Sequence, residues 1–311
     1  MSRSEQGDRF VIDEALAGVR LDIAVARSLT WTRNQARRAI ADGAVYLDGS
    51  RCRVAAQAMA VGQELRVMPA APDRTQVGGG GLDIVCQDTW LLVLDKPAGL
   101  PTQPPPRGGD ALSLRAATHL GMPPGEVHRL DRDVSGLVIY GCQREATRDL
   151  AGQFRERTAG RRYLALVRTA LPVPDQAIEE PICEVSPGRM AVGPTGMPAR
   201  TEVKQLAFDP EARLALLLVT LRTGRTHQIR VHLAHAVGAL AGDAMYGDPF
   251  AHDTPGFATG AGRVGLHAAI LQCYHPGTGT PVRWVREPGP DFWALAEGSN
   301  LALPWGWDAI G

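Results

Sequence analysis

The sequence predicts an α+β protein built around a mixed, mainly antiparallel sheet, with a smaller N-terminal unit of helices and short strands. From residue 82 onward, short apolar runs of strand character alternate irregularly with a few helical segments. Because regular strand–helix alternation is missing, a parallel Rossmann-type sheet is disfavoured. A Pro/Gly-rich segment interrupts the chain, so we expect domains at residues 10–70 and 82–311, joined by a linker at 71–81.

The N-terminal domain is predicted to contain two helices followed by two short strands. Apolar residues four positions apart indicate a helix over residues 21–29, and residues 30–40 have the pattern of a second helix. Residues 44–49 form a short strand ending in a turn, and residues 62–67 form another strand.

The second helix carries a cluster of arginines. Arg33, Arg37 and Arg38 lie one turn apart and share a helical face. Between residues 19 and 67, eight arginines face four acidic residues, so this segment is cationic within a chain of zero formal net charge. Taken alone, the cluster fits an ordinary solvated helix face.

The larger domain is predicted to be rich in strands. Strands are indicated at residues 83–88, 91–96, 137–140, 161–167 and 214–221, and a helix at 144–155. Another helix is expected from an N-cap at Thr226 to a C-terminal glycine at Gly238. Its apolar stripe includes Ile229 and Leu233, and Arg230 lies beside this stripe near the helix start, where it can point into a cleft.

Composition excludes several classes of protein. No apolar run approaches the roughly 20 residues of a membrane span, and the polar N-terminus lacks the apolar core of a signal peptide. The five cysteines are scattered and form no CxxC pair, which argues against disulfides and a zinc site and indicates a cytoplasmic protein. The four glycines at 78–81 are not followed by Gly-Lys-Ser/Thr, so a phosphate-binding P-loop is disfavoured.

A loop rich in charged residues is the strongest candidate for a functional site. Residues 128–136 read HRLDRDVSG and precede the strand predicted at 137–140, a frequent location for chemistry because the scaffold fixes the loop. By itself, Asp131 beside arginines fits a solvated ion pair. A zinc site with His128 and Asp133 is weaker still, since no cysteine or second histidine lies at ligand spacing.

This loop and several other segments resemble one family. Residues 128–136 are similar to the HRLDxxTSG signature of RluA-type pseudouridine synthases. The resemblance continues through DKPAG at 95–99 (family NKPxG), RRYLALV at 161–167 (family KxYxAxV), RTGRTHQIRVHL at 222–233, GDAMYG at 242–247 and LHA at 266–268. It therefore covers nearly the whole larger domain.

The N-terminal domain in turn resembles the S4-type RNA-binding domain. Its RLDIAVA at 20–26 and its two short strands are similar to that domain's RLDxxLA, GxVxVNG and GDxIxV segments. This resemblance implies that Arg33, Arg37 and Arg38 contact RNA.

Together the two resemblances imply an enzyme that isomerises uridine to pseudouridine in structured RNA. The implied sheet is the bent sheet of the pseudouridine synthase fold. Asp131 would be the catalytic carboxylate, paired with Arg230, while Tyr163 would stack on the uracil and take part in the late proton removal. Arg132 would help to hold RNA opened by base flipping.

The reaction needs no redox change or energy input, so no cofactor or metal is expected. RNA is the expected partner. The protein is expected to be a monomer. The S4-like domain favours large-subunit ribosomal RNA, and transfer RNA stays open.

Departures and alternatives accompany this interpretation. Val134 stands where threonine is usual and removes a hydroxyl that could tether the loop. Asp95 replaces the usual asparagine, and Arg161 the usual lysine. One alternative is a catalytically inactive RNA-binding assembly factor. Another is a hydrolase that uses Asp131 and Asp133 as an acid/base pair.

Overall fold

A computed structural model describes residues 8–29, 31–41, 45–52, 54–67, 81–105, 108–248 and 263–301. The chain divides into two compact units, residues 1–78 with 104–109, and residues 79–103 with 110–311. Except for Gly81, the linker predicted at 71–81 lies outside the described residues. Within the described residues, no helix combines the length and apolar character that a membrane span requires.

The N-terminal unit consists of two helices and a small antiparallel sheet, which share one apolar core. Its elements are β1 (Asp8–Val11), α1 (Leu21–Ser28), α2 (Arg33–Ala41), β2 (Val45–Leu47), β3 (Ser50–Arg51) and β4 (Glu64–Val67). The strand order is β1-β4-β2-β3, and all pairings are antiparallel. Leu21, Val25, Ile40 and Leu65 are fully buried in one apolar cluster, which explains the helical spacing seen in the sequence.

The larger unit contains one extended sheet, flanking helices and a separate hairpin. Its strands are β5 (Asp83–Gln87), β6 (Leu91–Lys96), β7 (Gly125–Glu126), β8 (Ser135–Gly141), β9 (Gly160–Val167), β10 (Asp175–Ile178), β11 (Ile182–Ser186), β12 (Arg189–Val192), β13 (Thr201–Asp209), β14 (Leu214–Leu221), β15 (Leu266–Tyr274) and β16 (Pro281–Val285). Its helices are α3 (Leu112–Leu120), α4 (Arg144–Glu156), α5 (Gln228–Ala236) and α6 (Pro290–Trp293), the last followed by a 3-10 turn, Ala294–Ala296.

The main path of the sheet runs β10-β13-β14-β9-β15-β8-β6-β5. Among its described pairings, β15 with β8 is parallel and the others are antiparallel. The predicted fold class, α+β with a mixed, mainly antiparallel sheet, is therefore confirmed.

Both faces of the central strands are buried, and one of these faces packs against α5. On β9, Tyr163 and Ala165 belong to the same apolar cluster as Ile229 and Leu233 of α5, whereas Leu164 points to a different cluster. Successive side chains of a strand alternate between faces. The same alternation therefore fills the core and turns Tyr163 toward α5.

The predicted N-cap of α5 was wrong, whereas the predicted C-terminal glycine lies at the helix end. The helix begins at Gln228, and its N-cap residue is His227, which adopts a left-handed conformation with φ 54° and makes no side-chain capping bond. At the other end, the C-cap is Val237 and the predicted glycine, Gly238, follows it directly and donates its N–H to the Leu233 carbonyl at 2.7 Å. Thr226 lies one residue too early to be the cap.

Candidate active site

The loop from residue 129 to 134 is held in place by two neighbouring segments. The Thr102 hydroxyl donates to the Leu130 carbonyl at 2.7 Å and accepts from the Leu130 N–H at 3.1 Å. Further along, the Arg132 carbonyl accepts from Lys96 Nζ at 2.9 Å and from the Gly99 N–H at 2.9 Å. Asp131 lies between these two tethers, so its backbone is fixed on both sides.

Lys96 supports the Asp131 loop through hydrogen bonds to backbone carbonyls. Among the described contacts, its ammonium makes no hydrogen bond to a carboxylate. Its fully buried ammonium donates to the carbonyls of Pro97 (2.9 Å), Leu100 (2.7 Å) and Arg132 (2.9 Å). Burial lowers the pKa of Lys96 to about 7, against the opposing charges of Asp133 and Asp131. The lysine of the DKPAG segment therefore supports the Asp131 loop from below.

Gly136 explains the Ser-Gly that closes the loop sequence. Its φ is +113°, and a Cβ built on it would lie 2.4 Å from the carbonyl oxygen of Ala268. The parallel pairing of Gly136 with Ala268 therefore requires glycine. This close approach joins β8 to β15 directly after the Asp131 loop.

Arg230 connects Asp131 to a second, buried carboxylate. Its Nη1 donates to Asp131 Oδ2 at 3.1 Å, while Nε and Nη2 donate to the two oxygens of Asp243 at 2.7 and 2.9 Å. The side chain of Arg230 is 7 % exposed and that of Asp243 is 1 % exposed, whereas Asp131 keeps 25 % exposure. Burial opposes the charge of Arg230, but the two carboxylates outweigh it and raise its pKa above the usual range. Asp131 is thus both paired and accessible.

Two aromatic rings surround this ion pair. The Arg230 guanidinium lies over the Tyr246 ring at 5.0 Å. The Tyr246 hydroxyl lies 2.8 Å from Nδ1 of His227, and Nε2 of His227 lies 3.7 Å from Asp131 Oδ2. Burial lowers the pKa of His227, although the charge of Asp131 acts in the opposite direction.

Tyr163 lines the same cavity as Asp131. Burial raises the pKa of its phenol, partly offset by the charge of Arg161, so the hydroxyl stays protonated at neutral pH. Arg161, which stands where the family has lysine, also lies over the Phe154 ring at 5.2 Å. Tyr163 therefore presents a neutral aromatic ring to the cavity.

The cavity has a volume of about 440 Å³, enough for a nucleobase with its sugar. Val134, Ile229 and Leu266 give it apolar walls beside the charged pair. Val134 is 2 % exposed and belongs to the core cluster, so the methyl that replaces the usual hydroxyl is packed. The loop is tethered at Leu130 and Arg132 instead.

Only some of the predicted site residues lie at the cavity. The structure brings Asp131, Tyr163 and Arg230 together at one cavity. In contrast, Arg132 is not among the residues that line it, and its guanidinium pairs with Asp133 at 2.8 Å. The role assigned to Arg132 remains a prediction. Arg129, two residues before Asp131, does line the cavity and donates to Thr226 at 3.2 Å.

The arginines of the N-terminal unit have a structural partner that sequence reasoning missed. The Nε atoms of Arg33 and Arg37 donate to Asp22 Oδ2 at 3.0 and 2.7 Å, and Arg20 donates to Oδ1 at 3.1 Å. Hydrogen bonds from Arg20 first, and from Arg37 and Arg33, hold the pKa of Asp22 well below its usual range despite its burial. About half of each of the Arg33 and Arg37 side chains stays exposed. The Arg38 side chain lies outside the described residues.

An arginine-rich groove of about 900 Å³ adjoins the cavity and shares six lining residues with it, among them Arg155, Arg161 and Arg225. Eight fixed cations and two carboxylates line this groove: Arg155, Arg157, Arg161, Arg162, Arg200, Lys204, Arg222 and Arg225, with Asp175 and Glu202. Glu202 pairs with Arg200 and Arg222 at 3.1 and 2.8 Å. The groove therefore keeps a large positive excess. Sequence reasoning did not identify it, because its residues come from six separate elements.

Metal ligands do not cluster anywhere in the described part of the chain, where no group of three or more His, Cys, Asp or Glu side chains could hold an ion. The polar side chains that line the cavity include the paired carboxylate of Asp131, the phenol of Tyr163, the imidazoles of His128 and His227, and several guanidiniums, among them that of Arg230.

Known proteins share this fold and these segments. The human RNA Pseudouridylate Synthase Domain Containing 1 structure superimposes with a TM-score of 0.60 at 24 % identity, covering 74 % of this chain and 93 % of that one. The fold is thus that of a pseudouridine synthase. Residues 90–235, which include Asp131, Tyr163 and Arg230, match the RNA pseudouridylate synthase family, and residues 19–64 match the S4 domain.

Whole-chain relatives agree. The ribosomal large subunit pseudouridine synthase D of Nitrosomonas europaea is 36 % identical over 97 % of this chain and 90 % of its own length. The enzyme of the same name from Escherichia coli O157:H7 is 32 % identical over 92 % of both chains. The chain belongs to the RNA pseudouridylate synthase family and carries an S4 domain.

Proposed function

We propose that this protein converts specific uridines of large-subunit ribosomal RNA into pseudouridine, with Asp131 as the catalytic carboxylate. The observation that carries the proposal is the 3.1 Å hydrogen bond from Arg230 to Asp131 in a cavity that also presents Tyr163. The choice of RNA rests on relatives named ribosomal large subunit pseudouridine synthase D, which match along most of their length. Transfer RNA is the second candidate substrate.

The reaction breaks the bond from the ribose C1′ to N1 of uracil and forms a bond from C1′ to C5. The C5 proton leaves to water and N1 takes up a proton from water, so the reaction is an isomerisation and no redox partner is needed. An ionised carboxylate at the sugar serves either route to bond cleavage, by attack on C1′ or by removal of the C2′ proton. Arg230 stabilises that anion, since an unpaired carboxylate is costly to bury.

Tyr163 holds the detached base during this exchange. A neutral phenol is a weak base, so the raised pKa of Tyr163 favours a stacking role over proton removal by the hydroxyl itself. Stacking retains the uracil while it turns to present C5. Asp131 and Tyr163 therefore act on the sugar and on the base, respectively.

RNA binding is divided between the two units. Flipping the target nucleotide costs roughly a few kcal/mol, and phosphate contacts in the arginine-rich groove can offset this cost. We propose that Arg132, Arg33, Arg37 and Arg38 add contacts outside the cavity.

One chain supplies Asp131, Tyr163 and Arg230, which supports a monomer as the active form. All five cysteines are unpaired, which supports action in the reducing cytoplasm.

Release of tritium from RNA labelled at C5 of uracil tests the proposal. The wild-type protein should release tritium from a large-subunit ribosomal RNA fragment and not from a transfer RNA transcript. Asp131→Asn should abolish release while keeping RNA affinity. Asp133→Asn is the matched control, since Asp133 pairs with Arg132 outside the cavity lining, and it should lose little. No release by the wild type on any RNA would indicate an assembly factor, and formation of abasic sites would indicate a hydrolase.

A further inference from the structure

His227 lies immediately before α5 and reaches the oxygen of Asp131 that Arg230 also contacts. Its Nε2 is 3.7 Å from Asp131 Oδ2, and its Nδ1 is 2.8 Å from the Tyr246 hydroxyl. The backbone of His227 is left-handed, with φ 54°, a conformation that non-glycine residues adopt rarely. The side chain is 15 % exposed, so its direction is set by the protein.

Tyr246 determines which nitrogen of the ring carries the proton. The Tyr246 hydroxyl accepts a hydrogen bond from the Met190 N–H at 3.1 Å and has a single proton of its own to donate. Among the described residues, the acceptor for that proton is Nδ1 of His227. The ring proton is then on Nε2. Since burial lowers the pKa of His227, the ring is neutral at neutral pH and directs an N–H toward Asp131.

The two donors meet on one carboxylate oxygen. Arg230 Nη1 donates to Oδ2 at 3.1 Å, and Nε2 of His227 faces the same atom. None of the hydrogen bonds described for this loop reaches Oδ1 of Asp131. Each donor side chain is held by a second hydrogen bond, Arg230 by Asp243 and His227 by Tyr246. The carboxylate is therefore held by one oxygen and offers the other to the cavity.

We propose that His227 is a positioning residue, which donates from Nε2 to Oδ2 of Asp131 and thereby leaves Oδ1 as the reacting oxygen. Tyr246 keeps the imidazole in the tautomer that can donate. Hydrogen bonds of this kind are often long in the free enzyme and shorten when substrate binds, which accommodates the 3.7 Å separation. This inference rests on the proposed catalytic role of Asp131.

Two substitutions at the same position separate positioning from backbone structure. His227→Gln carries an amide nitrogen to about the reach of Nε2, whereas the shorter side chain of His227→Asn reaches only about as far as Nδ1. Asparagine, however, tolerates the left-handed backbone better than glutamine does. A donor role therefore favours glutamine, and a purely structural role favours asparagine.

Single-turnover tritium release at saturating RNA measures the difference. We expect His227→Asn to slow the rate by about 10- to 100-fold, the scale for a misplaced reacting group, and His227→Gln to keep the rate within roughly 5-fold of wild type. RNA affinity should not change in either variant. A His227→Asn rate equal to or above that of His227→Gln would overturn the proposal, as would wild-type rates in both.

Tyr246→Phe tests the tautomer without changing the backbone at His227. It keeps the ring under Arg230 and removes the hydroxyl, which fixes Nδ1 as acceptor and also accepts from the Met190 N–H. We expect a rate loss of about 3- to 10-fold with unchanged RNA affinity, a modest fraction of the loss at His227 itself. A wild-type rate would overturn the proposal even if both His227 variants failed to fold. Failure of the proposed function is distinguishable, because tritium release would then survive in Asp131→Asn.

Discussion

Replacing Arg230 is expected to lower both stability and catalysis. Its guanidinium donates to Asp243 through two bonds and to Asp131 through one, at 7 % side-chain exposure. Arg230→Ala leaves the Asp243 carboxylate, which is 1 % exposed, with the backbone N–H of Tyr246 at 3.3 Å as its remaining donor among the described hydrogen bonds. A buried ion pair that loses one member costs about 3–5 kcal/mol.

For a unit of this size, that loss lowers Tm by roughly 6–20 °C. Urea unfolding followed by circular dichroism would measure the free energy, and single-turnover tritium release would measure catalysis. Arg230→Lys should fall between wild type and Ala in both assays. Lysine keeps the charge but cannot form the parallel pair of bonds to Asp243.

A double variant separates the two effects. Arg230→Met with Asp243→Leu removes both members of the buried pair and should regain most of the lost stability. It should remain inactive, because Asp131 still lacks its guanidinium partner. Arg230→Ala with wild-type stability would refute the energetic reasoning, and an active double variant would refute the dependence of Asp131 on Arg230.

Three further predictions concern RNA binding and the N-terminal unit. Arg157→Gln with Lys204→Gln should weaken RNA binding and lower the salt slope by about one unit per lost phosphate contact, whereas Arg148→Gln, exposed on α4 and outside the groove lining, should not. Asp22→Asn should destabilise the N-terminal unit by about 2–3 kcal/mol at pH 7. Because the pKa of Asp22 is lowered in the folded state, the stability difference between wild type and Asp22→Asn is fully present above the unfolded pKa, near pH 4, and shrinks as the pH falls below that value. Urea unfolding at pH 7 and pH 2.5 measures this difference. An unchanged difference at pH 2.5 would contradict the ion pairing of Asp22 with the arginines. Deleting residues 1–81 should leave a folded catalytic unit with weaker RNA binding and a shallower salt slope in a salt titration, and an unchanged slope would remove the S4 domain from the binding model.

Sequence patterns predicted the fold class and seven of the strands (β2, β4, β5, β6, β8, β9 and β14), because local periodicity and burial agree in those segments. The runs at β6 and β14 are apolar on both faces, as strands buried on both sides must be. The helix predicted at residues 144–155 corresponds to α4, Arg144–Glu156. Motif resemblance added the family, which periodicity alone does not identify.

The support of the site was not predictable, because it depends on contacts between distant segments. Asp243 fixes Arg230 from 13 residues away, and Thr102 holds Leu130 from 28 residues away. The backbone of His227 is left-handed although the residue is not glycine, so the sequence pattern predicts the cap one residue too early, at Thr226. A residue's side-chain partner becomes visible only when the fold brings the segments together.

Zero net charge is compatible with RNA binding because the charges are unevenly distributed. The chain has 33 basic and 33 acidic residues, yet eight cations and two carboxylates line the groove beside the cavity. At physiological salt, electrostatic attraction decays over about 8 Å. A phosphate in the groove therefore responds to the local excess and not to the distant acids that balance it. Behind the cavity wall, the buried Asp243 shares the Arg230 guanidinium with Asp131, so the charge of that arginine is balanced locally as well. We expect the groove cations to contact the RNA backbone and the accessible carboxylate of Asp131 to face the sugar.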